Sequence, residues 1–104
     1  MSKSATITTS QLPNPHPGLL LLEEFLEPMA LSQTAVARAI NVPPRRINEI
    51  VLGKRAVTAD TDLRLTRYFG LTEGFFLRLQ ADYELLQAKR ILGGKLADIR
   101  PRAA

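Results

Sequence analysis

The chain contains no cysteine. Disulfides, thiolate metal sites and cysteine nucleophiles are therefore excluded, and the absence fits a reducing cytoplasm. Histidine is nearly as scarce, since His16 is the only one. No second imidazole exists to complete a metal or catalytic site, so His16 reads as a residue at a helix start, ahead of Pro17. No apolar stretch approaches the ~20 residues that a membrane helix needs. The N-terminus has a lysine but no hydrophobic segment behind it, which does not suit a secretory signal. There is no glycine-rich phosphate loop and no carboxylate cluster beside a plausible base. An enzyme is the reading these absences disfavour most, and neither a cofactor nor a metal is expected. No internal repeat is evident.

What is present is a chain of 104 residues, enough for one domain with a modest core that would gain from dimerisation. Lys and Arg number 14 against 10 Asp and Glu, a net charge of +4. That surplus permits nucleic-acid binding without requiring it, and an ordinary helical protein can carry as much.

The stretch from Gln33 to Leu52 organises the rest. Ser32 can cap a short helix running to Ile40, accepting from the free N–H groups of its first turn. Val36, Ala37 and Ile40 recur at helical spacing. Asn41 stands where a left-handed residue is wanted, and asparagine tolerates that conformation. Val42 precedes a proline and is biased toward extended backbone. Pro44 suits the first position of a second helix, where its missing N–H costs nothing. That helix would bury Ile47, Ile50 and Val51, leave Arg45, Arg46, Asn48 and Glu49 outside, and end at Gly53. Two short helices crossing at a tight corner, the second polar and basic at its start, form a helix-turn-helix pattern.

The flanks read as three further helices. Leu19 to about Glu27 would be the first, with Leu19, Leu22, Phe25 and Leu26 toward a core and Glu23, Glu24 and Glu27 toward water. Leu20 and Leu21 add apolar surface on another face. Pro28 stops this helix, and Met29 and Leu31 are expected to plug the core at the corner. The next helix begins near Thr58 with Asp60 and Asp62 at its positive end. Leu63, Leu65, Thr66 and Phe69 face inward, Arg64 and Arg67 outward, and Gly70 closes it. Thr72 is expected to cap a last helix, with Glu73 in its first turn. Phe75, Phe76, Leu79, Tyr83 and Leu86 line it, and it reaches about Arg90. Most of its rings are expected to close the core, and some could form a dimer face. The organisation expected is a flexible arm over residues 1–14, a domain over 15–90 and a flexible basic tail over 91–104. Ile7 and Leu12 could still pack locally or on a partner.

If the central pair binds DNA, geometry suggests roles. Gln33 would touch a phosphate with nearby backbone N–H groups. Arg45 at the tip of the second helix can make two hydrogen bonds to a guanine edge, while Arg46 can reach a base or a phosphate. Glu49 can accept from cytosine or orient an arginine, and Asn48 can read a base or hold the backbone. Lys54 and Arg55 would lie near phosphates, with Arg38 and Arg64 as weaker candidates. Each has a plainer reading as well. Arg45 with Glu49 is an ordinary i,i+4 pair, Asn48 can bond locally, and Lys54-Arg55 can simply solubilise a loop. One short recognition helix rarely suffices, so a homodimer on a palindromic double-stranded operator is expected.

The ordered run of HPG, SQTAVA, RINEI, GKR, TADT and LQADY, spanning roughly His16 to Arg90, resembles the HigA/VapI group of antitoxins in the Xre (Cro/phage-repressor-like) helix-turn-helix family. The resemblance implies an all-α, five-helix, lambda-repressor-like DNA-binding domain with a C-terminal helical extension. It implies that the residue at Gln33 holds the DNA backbone and that Ala37 lets the two helices cross closely. It also implies that Val42, Ile47 and Ile50 are buried, that Pro44, Arg45 and Glu49 face bases, and that Lys54-Arg55 lies on the backbone. This chain departs from the group's pattern at Leu19, Asn41, Ala56 and Phe76, where Glu, Gly, Gly and Trp are usual. Members of the group repress their own operon as dimers and neutralise a RelE-like ribonuclease, the HigB toxin. The alternatives are a free-standing Xre-type transcriptional regulator and, more remotely, a helical protein-binding adaptor that does not bind DNA.

Overall fold

The computed structural model describes residues 12–103. Among them there is no strand, and five α-helices account for the architecture: α1 Pro17–Leu21, α2 Gln33–Ala39, α3 Pro44–Val51, α4 Ala59–Phe69 and α5 Phe75–Leu92. A π-helical segment, Leu22–Leu26, continues α1, and a 3-10 segment, Gly93–Asp98, follows α5. The expected arm over residues 1–14, with Ile7, falls mostly outside the described residues. Within its described end, Leu12 is exposed and its carbonyl accepts from Arg90. Asn14 donates to the carbonyl of Tyr83 at 3.0 Å.

Short-range chemistry sets the helix ends. His16 caps α1, its Nδ1 accepting from Gly18 N at 2.9 Å, and its ring meets Tyr83 edge-on at 5.0 Å. Ser32 caps α2 through Ala35 N at 3.0 Å. Asn41 is left-handed, with φ 61°. Val42 N then reaches back to Ala37 O at 3.0 Å, which satisfies a carbonyl that the helix end would leave free. Pro44 opens α3, Thr58 caps α4, and Gly70 closes α4 with φ 71°.

The core is built from Leu21, Leu26, Val36, Ala37, Ile40, Val42, Ile47, Ile50, Val57, Leu65 and Phe76. Helix α3 packs between α2 and α1, while α5 spans α4 and α1. Fully burying each of the larger aliphatic or aromatic side chains contributes about 1.5–3 kcal/mol. Phe25 ties the first helix to the last two. Its ring centroid lies 5.0 Å from Phe69, 6.0 Å from Phe75 and 5.6 Å from Phe76.

Several sequence expectations are corrected. Leu19 is exposed and Leu21 is the core residue. The π segment is the reason: Glu27 N bonds Leu22 O, five residues back, so the inward positions become Leu21 and Leu26 rather than a 3.6-residue series. Met29 is exposed rather than a plug, whereas Leu31 does pack on the core. Leu63 is exposed, because α4 turns Thr61, Asp62, Leu65 and Thr66 inward. Val51 is only half-buried.

Thr72 and Glu73 do not start α5, which begins at Phe75. Its first turn is capped from another helix. The buried carboxylate of Asp62 accepts Gly74 N at 2.7 Å, Phe76 N at 2.8 Å and Leu77 N at 3.0 Å. Asp62 is thus a tertiary cap for α5 as well as an acidic residue in the first turn of α4.

Candidate nucleic-acid interface

Two helices position the basic side chains. Helices α2 and α3 pack across one another, and the small side chain of Ala37 in α2 is fully buried. The same crossing puts Gln33 beside Asn48, whose Nδ2 donates to Gln33 Oε1 at 3.3 Å. Pro44, Arg45, Asn48 and Glu49 lie on the outer side of α3, with Ile47 and Ile50 fully buried beneath.

Arg45 projects from the second position of α3, and its side chain is 83% exposed. Its Nε donates to Glu49 Oε2 at 2.9 Å. Glu49 also receives Arg55, whose Nη2 lies 2.8 Å from Oε1. Hydrogen bonds from Arg45 and then Arg55 hold the Glu49 carboxyl below the usual carboxylate range, so it stays ionised between two cations. The loop itself is folded back onto α3: Lys54 N and Arg55 N both donate to Glu49 O, at 2.8 and 3.2 Å. Its far end is pinned to α5, where buried Gln80 accepts Val57 N at 2.9 Å.

A second carboxylate sits at the start of α4. Asp60 Oδ1 accepts from Arg46 at 2.9 Å and from Arg64 at 2.8 Å. Arg64 Nη1 also donates to Ile40 O at 2.8 Å, at the C-terminal end of α2. Arg38 is exposed in the last turn of α2. The nine sequence-selected residues therefore fall on α2, α3 and the loop that follows α3. The i,i+4 pairing of Arg45 with Glu49 is present, and so is the bond of Glu49 to Arg55, which no helical spacing announces. Sequence reasoning did not select Asp60 as a site residue, although its i,i+4 relation to Arg64 was visible.

A carboxylate between two arginines fixes the direction of both while leaving a net positive charge, which is the electrostatics of an anion-facing surface. The family model described as Helix-turn-helix matches residues 22–76, which contain this whole constellation. The chain belongs to the Xre-type helix-turn-helix family. Virulence-associated protein I of Dichelobacter nodosus is 49% identical over 81 residues, covering 78% of this chain and 75% of that protein. The solved Pseudomonas aeruginosa antitoxin HigA with higBA promoter is 36% identical. It superposes with a TM-score of 0.81 over 88% of this chain and 100% of its own. An addiction module antidote protein of the HigA family from Coxiella burnetii gives a TM-score of 0.82 at 35% identity, over 88% of this chain and 100% of its own. The all-α fold of this helix-turn-helix chain is shared with these two solved proteins. Among the described residues no helix is long and apolar enough to cross a membrane.

Proposed function

We propose that this helix-turn-helix chain is a cytoplasmic antitoxin that represses its own operon as a homodimer and neutralises a small HigB-like ribonuclease. The observation that carries the DNA half is the exposed N-terminal part of α3, where Arg45 stands on Glu49 beside a basic loop. In this reading α3 enters the major groove and α2 crosses the backbone. Arg45 bonds a guanine edge, Glu49 orients it, and Pro44 offers apolar contact to a base. Arg46 reaches a base or a phosphate. Gln33 with Asn48, together with Arg38, Lys54 and Arg55, holds phosphates. Likeness to an antitoxin solved with its promoter supports the same docking here.

One α3 reads only a few base pairs, and two copies on a palindrome supply the rest. The distal part of α5 and the turn after it expose Leu85, Ile91, Leu92, Leu96 and Ile99, apolar surface suited to a second copy. The toxin half rests on likeness to the HigA family.

The test is binding of the purified protein to a labelled fragment of its own upstream DNA at two salt concentrations. Selective binding that weakens steeply with salt is expected, with two protomers per site. Co-purification with a small basic ribonuclease encoded next to the chain is the expected result for the antitoxin half. Selective DNA binding without such a neighbour would reassign the chain as a free-standing regulator. A folded protein that selects no DNA would move it to protein binding alone.

A further inference from the structure

The first turn of α4 carries a carboxylate that the DNA-binding reading leaves without a role. Asp60 lies outside the core, and a single oxygen, Oδ1, accepts from Arg46 on α3 at 2.9 Å and from Arg64 on α4 at 2.8 Å. Arg64 is itself anchored, donating to the main-chain carbonyl of Ile40 at 2.8 Å. A line of charge-assisted bonds therefore runs from the end of α2 through Arg64 and Asp60 to the third residue of α3. Hydrogen bonds from Arg64 and then Arg46 hold the Asp60 carboxyl below its ordinary range, so the line remains charged.

A lone exposed ion pair would carry little weight. This one differs in being tied to backbone at its far end, so the carboxylate cannot simply follow Arg46 through its rotamers. The Arg46 side chain is 29% exposed, against 83% for its neighbour Arg45, so it also lies closer against the domain. An arginine held by a carboxylate presents its remaining donors in one direction, and direction is what separates reading a base from attracting any phosphate.

We propose that Asp60 is a positioning residue for DNA recognition: anchored through Arg64, it fixes the direction of Arg46 and so contributes sequence preference without touching a base. The inference rests on the DNA-binding reading above. Its consequence is opposite in sign to simple electrostatics. Replacing Asp60 by Asn removes a negative charge near phosphates, which alone would strengthen binding to every duplex. Losing the orientation of Arg46 weakens the preferred duplex selectively.

The experiment uses the full-length protein and a duplex it selects from a randomised pool. Binding to that duplex and to a scrambled one of the same composition gives a preference ratio. Asp60→Asn is expected to lower the ratio about tenfold, with scrambled binding equal or tighter. Arg64→Lys keeps the charge but replaces the two fixed donors Nε and Nη1 by one freely rotating ammonium, so it should lower the ratio in the same direction. Introduced into an Arg46→Ala background, Asp60→Asn should leave the ratio unchanged within about twofold. Thermal melts confirm folding in each case. An unchanged ratio in Asp60→Asn, an equal fall without Arg46, or parallel loss on both duplexes overturns the positioning role while leaving DNA binding intact. Failure of the unaltered protein to enrich any sequence overturns the DNA-binding reading and this inference with it.

Discussion

A Cβ placed on Gly18 would lie 1.7 Å from the carbonyl oxygen of Ile50. The backbones of α1 and α3 thus touch with no side chain between them, and α1 sets how deeply α3 is held. A methyl group at that distance has to move backbone rather than the end of a flexible side chain. Gly18→Ala is therefore expected to cost more than about 3 kcal/mol, beyond ordinary overpacking. A urea titration followed by circular dichroism checks it. A midpoint close to that of the unaltered protein would mean that the two helices part without loss, contrary to the contact.

This contact also marks the limit of what the residues disclosed by themselves. The caps Ser32 and Gly70, the helix start near Thr58, left-handed Asn41 and Pro44 at the start of α3 are local signals, and all are used as read. The burial of Ile47 and Ile50 was legible on the second helix itself, and that of Val42 followed from the family pattern. Leu19 and Leu21 exchanged roles because a π turn has no distinct hydrophobic signature and shifts the phase of everything before it. Leu63 was misjudged because the inward face of α4 also carries Thr61 and Asp62, polar residues that a hydrophobic pattern discounts. In the site, the Arg45–Glu49 pair is periodic and legible. The bonds Arg55–Glu49 and Arg46–Asp60 join residues 6 and 14 apart, across loops whose path no spacing encodes.

Asp62 offers a test of the tertiary cap on α5. Its carboxylate satisfies three N–H groups of the adjoining turn and is only 1% exposed. Truncation to Ala leaves those donors buried and unpaired, a loss of about 3 kcal/mol. Asp62→Asn retains an acceptor but loses the charge and one oxygen, and should fall between. Chemical denaturation of the three proteins gives the order. Equal stability of all three would remove the cap from the account of how α5 is held.

His16 makes stability depend on pH in a definite direction. Burial lowers its pKa from 6.5, with Glu84 partly opposing the shift. Its Nδ1 accepts from Gly18 N, so the capping form is the neutral ring. The unfolded chain takes up the proton first. The contribution of the neutral ring is thus complete above pH 6.5 and is lost as pH falls through the lower folded value. Asn at this position caps without titrating. Urea midpoints of the unaltered protein should fall more between pH 7.5 and pH 5 than those of His16→Asn, about 7.5 and 5 being chosen to bracket an ordinary histidine. Parallel profiles would show that His16 does not titrate with folding.

Arg45 and Lys54 separate base reading from phosphate attraction on the proposed interface. Arg45 is directed by Glu49 at the exposed tip of α3, whereas Lys54 sits in the loop beyond its end. Arg45→Ala should weaken the preferred duplex by about 1–3 kcal/mol and affect a scrambled duplex much less. Lys54→Ala should weaken both alike and reduce the salt dependence of binding by about one unit of slope. Glu49→Gln supplies the control, since it frees Arg45 and Arg55 together and removes a negative charge. Tighter binding to all duplexes with a smaller preference is the expected result. Fluorescence anisotropy over a salt series resolves these three patterns. If Arg45→Ala and Lys54→Ala behave alike, with equal losses on both duplexes, α3 attracts DNA without reading it, and sequence preference has to arise from another part of the chain.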